Sequence, residues 1–474
     1  MKGAFTIAAI FLGIILIACG QCRAEDLSDV SLHISQQEAE KDVHYCALFV
    51  ADKITDIYYK PWMLSEVALT LVEVGEQGKV GGILDKAAAI AMGLNNPSYR
   101  ADALLEVASG YAEIEQHNKA LSIADTIEAV IPRIKTFCAI ATKYNEDGFH
   151  DKSIDVLARA LGSLNEAPGN TRDNALVALS SAYAAVGEYD EGLRVSQGIE
   201  APYPRVTAFL GIAEEYIRSR QKAEALKVLG RTRVTAGLIQ DSIETPTALA
   251  EIAKQYAEVK EADHAVAILD GALKVTTEIK SKYSKPDILS KISDGYLKAG
   301  LYEKALEVAE SIEDDNYKPR AMAKAAVGYA KAGHKTKADE ILIRALDEVR
   351  SVRSPYSQAS VMADIARRYL ELDQYDIALE VAVSMRDDYN KPRSFAEIAA
   401  AFGEKGDKEK AAGIFVQALQ AASTVEDNFY KSWALAEIAV KYSEAEMIPD
   451  AAAKDVLKKI VLDTIDVSGQ NAGT

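Results

Sequence analysis

Two adjacent carboxylate pairs are the first candidates for chemistry in this sequence, because paired acids can bind a metal ion or share acid and base roles. Asp314-Asp315 and Asp387-Asp388 precede similar turns, each containing the residues Tyr, Lys, Pro and Arg. A feature that recurs at equivalent turns is more often structural than catalytic. We therefore predict that neither pair is catalytic and that the chain has no catalytic residues.

Histidine and cysteine offer no spacing typical of a metal site. The six histidines are scattered, and no CxxC, P-loop, GxSxG, HExxH or EF-hand pattern is present. The sequence therefore predicts no metal and no cofactor, with most histidines on the solvated surface. Cys46 and Cys138 are expected to be two buried small apolar residues rather than a disulfide.

The elements that position these residues follow from one recurring residue, which we call the anchor. Successive anchors are 33, 39 or 40 residues apart: Leu71, Tyr111, Tyr144, Tyr183, Tyr216, Tyr256, Tyr296, Tyr329, Tyr369, Phe402 and Tyr442. A large apolar residue lies seven positions before each anchor and a small residue three positions before it. These offsets share one helical face, so large residues fill the core and small ones allow close helix approach.

Each anchor is followed by the signature of a tight turn and a second helix. Six units carry a glycine four residues after the anchor, which predicts a left-handed helix end. An amphipathic segment follows at once. The pattern predicts about eleven helix–turn–helix hairpins, and the surplus of two helical turns in the longer units should thicken one edge at roughly every other repeat.

This pattern resembles the tetratricopeptide repeat over roughly residues 45 to 462. In the second repeat the matching residues are Leu104, Val107, Ala108, Tyr111 and Ala120, followed by Pro132. The usual tryptophan is replaced by Leu, Phe or Met, and several units exceed the family length. The resemblance implies an all-α fold, an α-α superhelix (solenoid) of about eleven TPR-like hairpins. We expected this solenoid to be open, right-handed and capped at both ends.

In this family the first helix of each hairpin lines the concave surface, at offsets −9, −6 and −2 from the anchor. The resemblance therefore implies inner-groove candidates that are small or polar, with no aromatic cage: Asp102, Ser109, Asn174, Ser181, Thr207, Glu214, Thr247, Lys254, Asp287, Asp294, Ser360 and Arg367. Such a groove suits an extended peptide or a protein surface better than a small ligand.

A second recurring feature is a basic residue eleven positions before the anchor. This basic ladder is interrupted only by Thr245 and Gln358: Lys60, Arg100, Arg133, Arg172, Arg205, Lys285, Lys318, Lys391 and Lys431. We expect these residues to form ion pairs between hairpins with acids at the preceding helix ends, such as Asp56, Glu200, Asp314 and Asp388. A ligand-binding stripe is the less favoured alternative. Tyrosines at the turns are expected to wedge between hairpins.

The N-terminal residues resemble an export signal. Lys2 precedes an apolar run over residues 4–18 that is too short to span a bilayer. Residues 1–24 are therefore assigned to a signal peptide. Either a lipobox ends at Cys19, the candidate for lipidation, or ordinary cleavage releases a protein beginning at Glu25. A partial capping repeat is expected over 25–58, repeats over 59–462 and a disordered tail over 463–474.

The net charge of −17 argues against a nucleic-acid partner and against anionic membrane surfaces. Membrane attachment would then require the N-terminal lipid anchor. The favoured interpretation is an exported, non-catalytic scaffold of the bacterial envelope, in the periplasm or lipid-anchored, that binds a protein or peptide. An α/α-barrel enzyme and a purely structural spacer remain as alternatives.

Overall fold

The computed structural model describes residues 34–167, 169–386 and 389–471, so the predicted signal peptide, Cys19 and Asp387-Asp388 lie outside the described residues. Every regular element in the described part is helical. A short helix α1 (Gln36–Ala39) precedes α2 (Val43–Asp52), and the chain then alternates between two layers.

The odd-numbered helices contain the anchors: α3 (Lys60–Glu73), α5 (Pro97–Glu113), α7 (Val130–Glu146), α9 (Gly169–Ala185), α11 (Pro202–Arg218), α13 (Glu244–Glu258), α15 (Ser284–Lys298), α17 (Tyr317–Lys331), α19 (Pro355–Glu371), α21 (Asn390–Glu404) and α23 (Asn428–Glu444). The even-numbered helices follow the turns: α4 (Gln77–Met92), α6 (His117–Thr126), α8 (His150–Gly162), α10 (Tyr189–Ser196), α12 (Lys222–Ala236), α14 (Ala262–Thr276), α16 (Tyr302–Glu310), α18 (Lys335–Val349), α20 (Tyr375–Ser384), α22 (Lys408–Ser423) and the terminal α24 (Ala451–Asn471). The predicted α-α solenoid of TPR-like hairpins is confirmed.

The hairpin core is built from the predicted positions. All eleven anchors are buried, and so are all eleven small residues three positions before them, such as Ala68, Ala326 and Ser293. Short outer helices such as α10 alternate with longer ones such as α12 through most of the chain, as the repeat lengths predicted. Cys46 and Cys138 are buried free thiols, and burial raises the pKa of Cys138 to about 12.

The turn geometry is the same in every hairpin. All six predicted glycines have positive φ, and five other repeats place a non-glycine residue in that conformation at the same position: Glu115, Arg220, Lys260, Asp373 and Glu446. A residue with a Cβ atom pays about 1–2 kcal/mol to adopt left-handed backbone geometry. The turn is therefore imposed by the packing of the two helices rather than by glycine alone.

Replacing Lys260 with glycine should stabilise the protein. Lys260 has φ of +66°, so Lys260→Gly should relieve backbone strain and raise the free energy of unfolding by about 0.5–1 kcal/mol. Gly300→Ala is the matched control: no atom lies within 4 Å of the added Cβ, and only the φ of +80° opposes it. It should destabilise by a similar amount in chemical denaturation. Changes of the same sign in the two variants would contradict this account.

The solenoid is closed, and the prediction of an open superhelix is wrong. Helix α2 packs against α23 in the way that the second helix of a hairpin packs against its first helix. Helix α23 also packs against α3, which is the contact that successive first helices make elsewhere in the chain. The Asn428 side-chain amide donates to the Lys53 carbonyl oxygen at 3.3 Å, and the Ser443 hydroxyl lies 3.3 Å from His44 Nε2. The eleventh hairpin is thus assembled from both ends of the chain.

The expected capping ends are replaced by this closure. Ala451 begins α24 at the position where the second helix of the last hairpin was expected, but α24 instead packs across α22 and α2 on the outside. Residues 463–471, predicted to be disordered, continue this helix. The partial N-terminal unit is therefore half of a complete hairpin.

The odd-numbered helices form the inner layer. Each packs directly on the next around the whole ring, including α23 on α3, whereas consecutive outer helices from α4 to α22 are held apart. Helices in direct lateral contact occupy the shorter circumference. Eleven helices at the usual spacing of about 9 Å surround an opening on the order of 20 Å across.

Candidate functional site

The free faces of the inner helices form one continuous surface, which we call the inner face. Its residues lie at offsets −9, −5 and −2 from the anchor, and all of them are exposed or half-buried except Val327 and Ala400. Offset −6, which was expected to face inward, is mostly buried or filled by apolar and small residues, as at Ser65, Cys138 and Ala250. The predicted inner face was therefore wrong by one residue at its central position, which is −5 and not −6.

The twelve predicted groove residues all retain solvent contact on this face. Asp102, Asn174, Thr207 and Glu214 are exposed, and the other eight are half-buried: Ser109, Ser181, Thr247, Lys254, Asp287, Asp294, Ser360 and Arg367. They do not converge on one centre but follow the ring. The Thr207 and Thr247 hydroxyls donate to carbonyl oxygens of their own helices at 3.2 and 2.7 Å.

The sequence analysis missed the charged residues at offset −5: Glu66, Glu106, Glu251, Lys291, Lys324, Asp364, Glu397 and Glu437. It also omitted Arg320 and Arg393 at offset −9. A signal was available, since positions −9, −5 and −2 follow one another at helical spacing of four and three residues.

One half of the inner face is a chain of ion pairs between consecutive helices. Lys324 binds Asp294 at 2.6 Å, Arg320 binds Asp364 at 2.6 Å, and Arg367 binds Glu397 at 2.9 Å; Arg393 pairs with Glu437. These contacts link α15, α17, α19, α21 and α23 in order. Positive and negative groups neutralise one another along this half.

A smaller part of the inner face, on α3 and α5, carries carboxylates without ion-pair partners. Glu66, Asp102 and Glu106 have no Lys or Arg within 4.0 Å among the described residues. Burial and then the neighbouring charges of Glu66 and Asp102 raise the pKa of Glu106. We call these three residues the acidic arc.

Ring closure creates an aromatic cluster that the sequence analysis did not foresee. The two tryptophans of the chain meet across the junction, with Trp62 and Trp433 ring centroids 5.8 Å apart. Phe429 stacks on Trp62 at 5.4 Å and contacts Tyr59 at 5.3 Å. Including their neighbours, we call this cluster the aromatic seam: Tyr59, Trp62, Tyr389, Phe429, Tyr430 and Trp433.

Three of the turn tyrosines are more exposed than predicted, whereas Tyr203 and Tyr317 are half-buried against the core. Tyr59, Tyr99 and Tyr430 are each close to half exposed, at 49, 46 and 47%. Their rings are therefore not fully wedged between hairpins. At the aromatic seam they extend the apolar surface that Trp62 and Trp433 present to solvent.

The basic ladder has a structural role. Four of its residues form the predicted kind of ion pair between hairpins, although only Lys60 pairs with an acid at the end of the preceding helix: Lys60–Asp52, Arg100–Glu128, Arg133–Glu166 and Lys318–Glu348. Arg100, Arg172 and Arg205 donate to the carbonyl oxygens of Leu94, Leu164 and Ile199, at 3.2, 3.0 and 2.8 Å. Each carbonyl lies in the last turn of the preceding outer helix or just after it. Carbonyl oxygens at a helix end have no N–H donor within the helix, so a side chain can supply one.

The two interruptions of the ladder preserve this contact. Thr245 donates to the Ile239 carbonyl oxygen at 3.2 Å, and the Gln358 amide donates to Val349 at 3.3 Å. Position −11 thus supplies a hydrogen-bond donor to this carbonyl even in the two repeats that lack a positive charge there. Asp56 and Asp314, expected as ion-pair partners, instead accept backbone N–H groups at the start of the next helix.

Among the described residues, His150, His264 and His334 are exposed as expected, and two histidines are exceptions. His44 and His117 are buried, at 4 and 6% exposure, and burial lowers the pKa of both. His44 Nδ1 lies 3.0 Å from the Thr70 hydroxyl, next to the closing contact with Ser443. Within the described residues no group of His, Cys, Asp and Glu is arranged to hold a metal ion.

Comparison with known proteins adds little to these observations. No protein-family profile and no curated protein sequence matches the chain. Among solved structures, the apo form of RapI is 12% identical, with 66% of this chain and 96% of RapI covered at a TM-score of 0.33. No helix in the described part of the chain has the length and apolar character of a membrane span.

Two further solved structures match the chain at similarly low scores. A putative kinesin light chain with nearly identical TPR-like repeats from Podosopora anserina is 19% identical, covers 40% of this chain and 95% of its own, and has a TM-score of 0.29. The pentatricopeptide repeat protein PPR10 from maize is 15% identical over 76% of this chain and 58% of its own, with a TM-score of 0.24. Scores this low support no argument about this chain.

Proposed function

We propose that this protein is a non-catalytic binding module that holds an extended peptide, or an extended segment of a partner protein, against the inner face of its ring. The observation that carries this proposal is the continuous solvent-accessible inner face at offsets −9, −5 and −2. Most of its residues are polar, charged or aromatic, and they vary from repeat to repeat, whereas the anchor and the small residue before it are buried in every repeat. A pure spacer has no need for such a surface.

The dimensions of the ring suit this ligand class. An opening on the order of 20 Å is wide enough for an extended chain and its side chains. The mixed charges on the inner helices offer hydrogen-bond donors and acceptors along the path, whereas a small ligand would require a compact pocket. Binding of this kind follows the groove mode of peptide recognition.

The experiment that tests the proposal is peptide selection followed by mapping. A displayed random peptide library is selected on the purified protein, and enriched peptides are measured by fluorescence anisotropy. Thr207→Arg and Glu214→Arg, on the inner face of α11, should weaken binding about tenfold, equivalent to about 1.4 kcal/mol. Val234→Arg on outer helix α12, where Val234 is 73% exposed, should leave it unchanged. Equal effects at the two surfaces would reject the proposal.

Ring closure gives some weight to the second candidate, an α/α-barrel enzyme. The most enzyme-like group is Glu437, whose pKa is raised by burial despite the opposing effect of Arg393. Nearby Glu397 is held by Arg367 at 2.9 Å. Each carboxylate has its own guanidinium partner, an arrangement that favours a structural ion pair over a proton donor.

The proposed location is the bacterial cell envelope, in the periplasm or anchored through Cys19. The support is the signal-like segment over residues 1–24 and the small residues before Cys19. If Cys19 is lipidated, Cys19→Ser should shift the protein from the membrane fraction to the soluble fraction or block its processing. Fractionation and intact-mass measurement check this. A mature protein that begins at Glu25 would reject lipidation.

A further inference from the structure

A pair of residues, tryptophan at offset −9 and glutamate at offset −5, occurs twice at the aromatic seam and indicates which side chain of a peptide could bind there. Helix α23 has Trp433 at offset −9 and Glu437 at offset −5, one helical turn apart on the inner face. Helix α3, its neighbour across the junction, has Trp62 and Glu66 at the same two offsets. Among the inner helices, α3 and α23 alone combine tryptophan and glutamate in this way.

On α23 this pair is already occupied by a cation from the protein itself. The Arg393 guanidinium of α21 lies 5.8 Å from the Trp433 ring centre and 5.6 Å from the Tyr389 ring centre, and it pairs with Glu437. A guanidinium against an aromatic face with a carboxylate beside it combines cation–π attraction with a charge-assisted hydrogen bond. The protein therefore shows which group this arrangement receives.

On α3 the corresponding cation is missing. The residue equivalent to Arg393 on the preceding inner helix is Trp433, which cannot pair with Glu66. Glu66 is exposed, and no Lys or Arg of the described residues lies within ion-pair distance of it. Asp102 and Glu106, on the next helix, add further negative charge without compensation.

We propose that Trp62 and Glu66, supported by Asp102 and Glu106, bind an arginine or lysine side chain of the extended peptide held on the inner face. This inference rests on the proposed function and specifies its partner as a basic peptide. Charge complementarity favours a basic peptide as the partner. The inner-face acids on α15 to α23 are paired with lysine or arginine residues of the protein itself, whereas the acids of the acidic arc are not.

A structural role for the aromatic seam alone would be to close the ring. At offset −9 nine other repeats have no aromatic residue, for example Asp102, Thr207 and Arg320, and their hairpins pack against their neighbours. Hairpin packing does not require tryptophan at this position. The unpaired Glu66 one turn away from Trp62 also contributes nothing to closure.

Intrinsic fluorescence gives a direct readout, because the only two tryptophans of the chain are both in the aromatic seam. A peptide of alternating arginine and glycine is titrated into the purified protein, with a glutamate–glycine peptide of equal length as the comparison. The arginine peptide should change the tryptophan emission saturably, and the glutamate peptide should not. The variant Glu66→Gln/Glu106→Gln should weaken binding about tenfold.

The matched control is Glu307→Gln, which removes an exposed carboxylate on outer helix α16. It should bind the arginine peptide like the unmodified protein. Trp62→Thr, which introduces the residue found at this offset in two other repeats, should weaken binding without loss of helical signal. Unchanged emission with the arginine peptide, or equal weakening by Glu307→Gln, would overturn the inference.

Two outcomes separate this inference from the proposed function. If selected neutral or acidic peptides bind and respond to the inner-face variants on α11, the proposed function stands and the basic-peptide inference falls. If Trp62→Thr only lowers the thermal midpoint and leaves peptide affinity unchanged, the aromatic seam serves closure alone, and the inference also falls.

Discussion

Leu48→Asp should open the ring while leaving most hairpins folded. Leu48 is fully buried on α2, the helix that completes the eleventh hairpin with α23. Burying a carboxylate there would forfeit about 2–3 kcal/mol of apolar burial and add several kcal/mol of desolvation. Because repeat arrays are stabilised mainly by nearest-neighbour contacts, the other hairpins should keep their structure.

Small-angle scattering and circular dichroism measure this outcome together. The radius of gyration should rise, and the helical signal should fall only by the contribution of the terminal helices. Leu306→Asp is the matched control, because Leu306 occupies the equivalent position on α16 within a covalently continuous hairpin. It should disrupt its own repeat without separating α2 from α23. A Leu48→Asp variant with unchanged scattering and stability would show that the ends do not hold each other.

Asp52→Asn should be the most destabilising isosteric change near the junction. Asp52 ends α2, and its carboxylate lies 2.5 Å from Lys86 Nζ on α4 and 3.7 Å from Lys60 Nζ on α3. Lys86 is 3% exposed and Lys60 8%, and burial lowers the pKa of Lys60. Removing the carboxylate leaves two buried ammonium groups without a counter-charge. Loss of one partner of a buried pair costs roughly 3–5 kcal/mol.

Urea unfolding followed by tryptophan emission reports this region directly, since both tryptophans lie at the junction. The double variant Asp52→Asn/Lys86→Met should recover much of the lost stability, because it also removes the Lys86 ammonium group, which is the more deeply buried of the two unpaired charges. Asp125→Asn, which breaks the exposed Asp125–Arg159 pair, should cost less than about 1 kcal/mol. Similar losses of stability for Asp52→Asn and Asp125→Asn would mean that water solvates the Asp52 cluster.

The repeat architecture could be derived from the sequence because it depends on local rules. Anchor spacing located all eleven first helices, and the small residues at offset −3 marked the close contacts. The glycines located six of the eleven left-handed turns. The other five, such as Lys260 and Glu115, were not marked, because those side chains give no sign of the backbone conformation imposed on them.

The inner face was only partly predictable. The twelve candidates at offsets −9 and −2 do reach solvent, but the choice between −5 and −6 rests on a rotation of the helix by one residue. That rotation is set by packing against two neighbouring helices and the outer layer. The charged residues at −5, including Glu66 and Glu437, were therefore missed.

Closure was decided only by the tertiary structure. A solenoid closes or winds into a superhelix according to the small rotation between consecutive repeats, and a difference of a few degrees accumulates over eleven junctions. No local pattern encodes that sum. The sequence by itself determined that α2 is the second helix of a hairpin whose first helix does not precede it, and that the two tryptophans lie on α3 and α23. Only the ring brings α2 to α23 and Trp62 to Trp433, because residues almost four hundred positions apart meet when the accumulated rotation completes one turn.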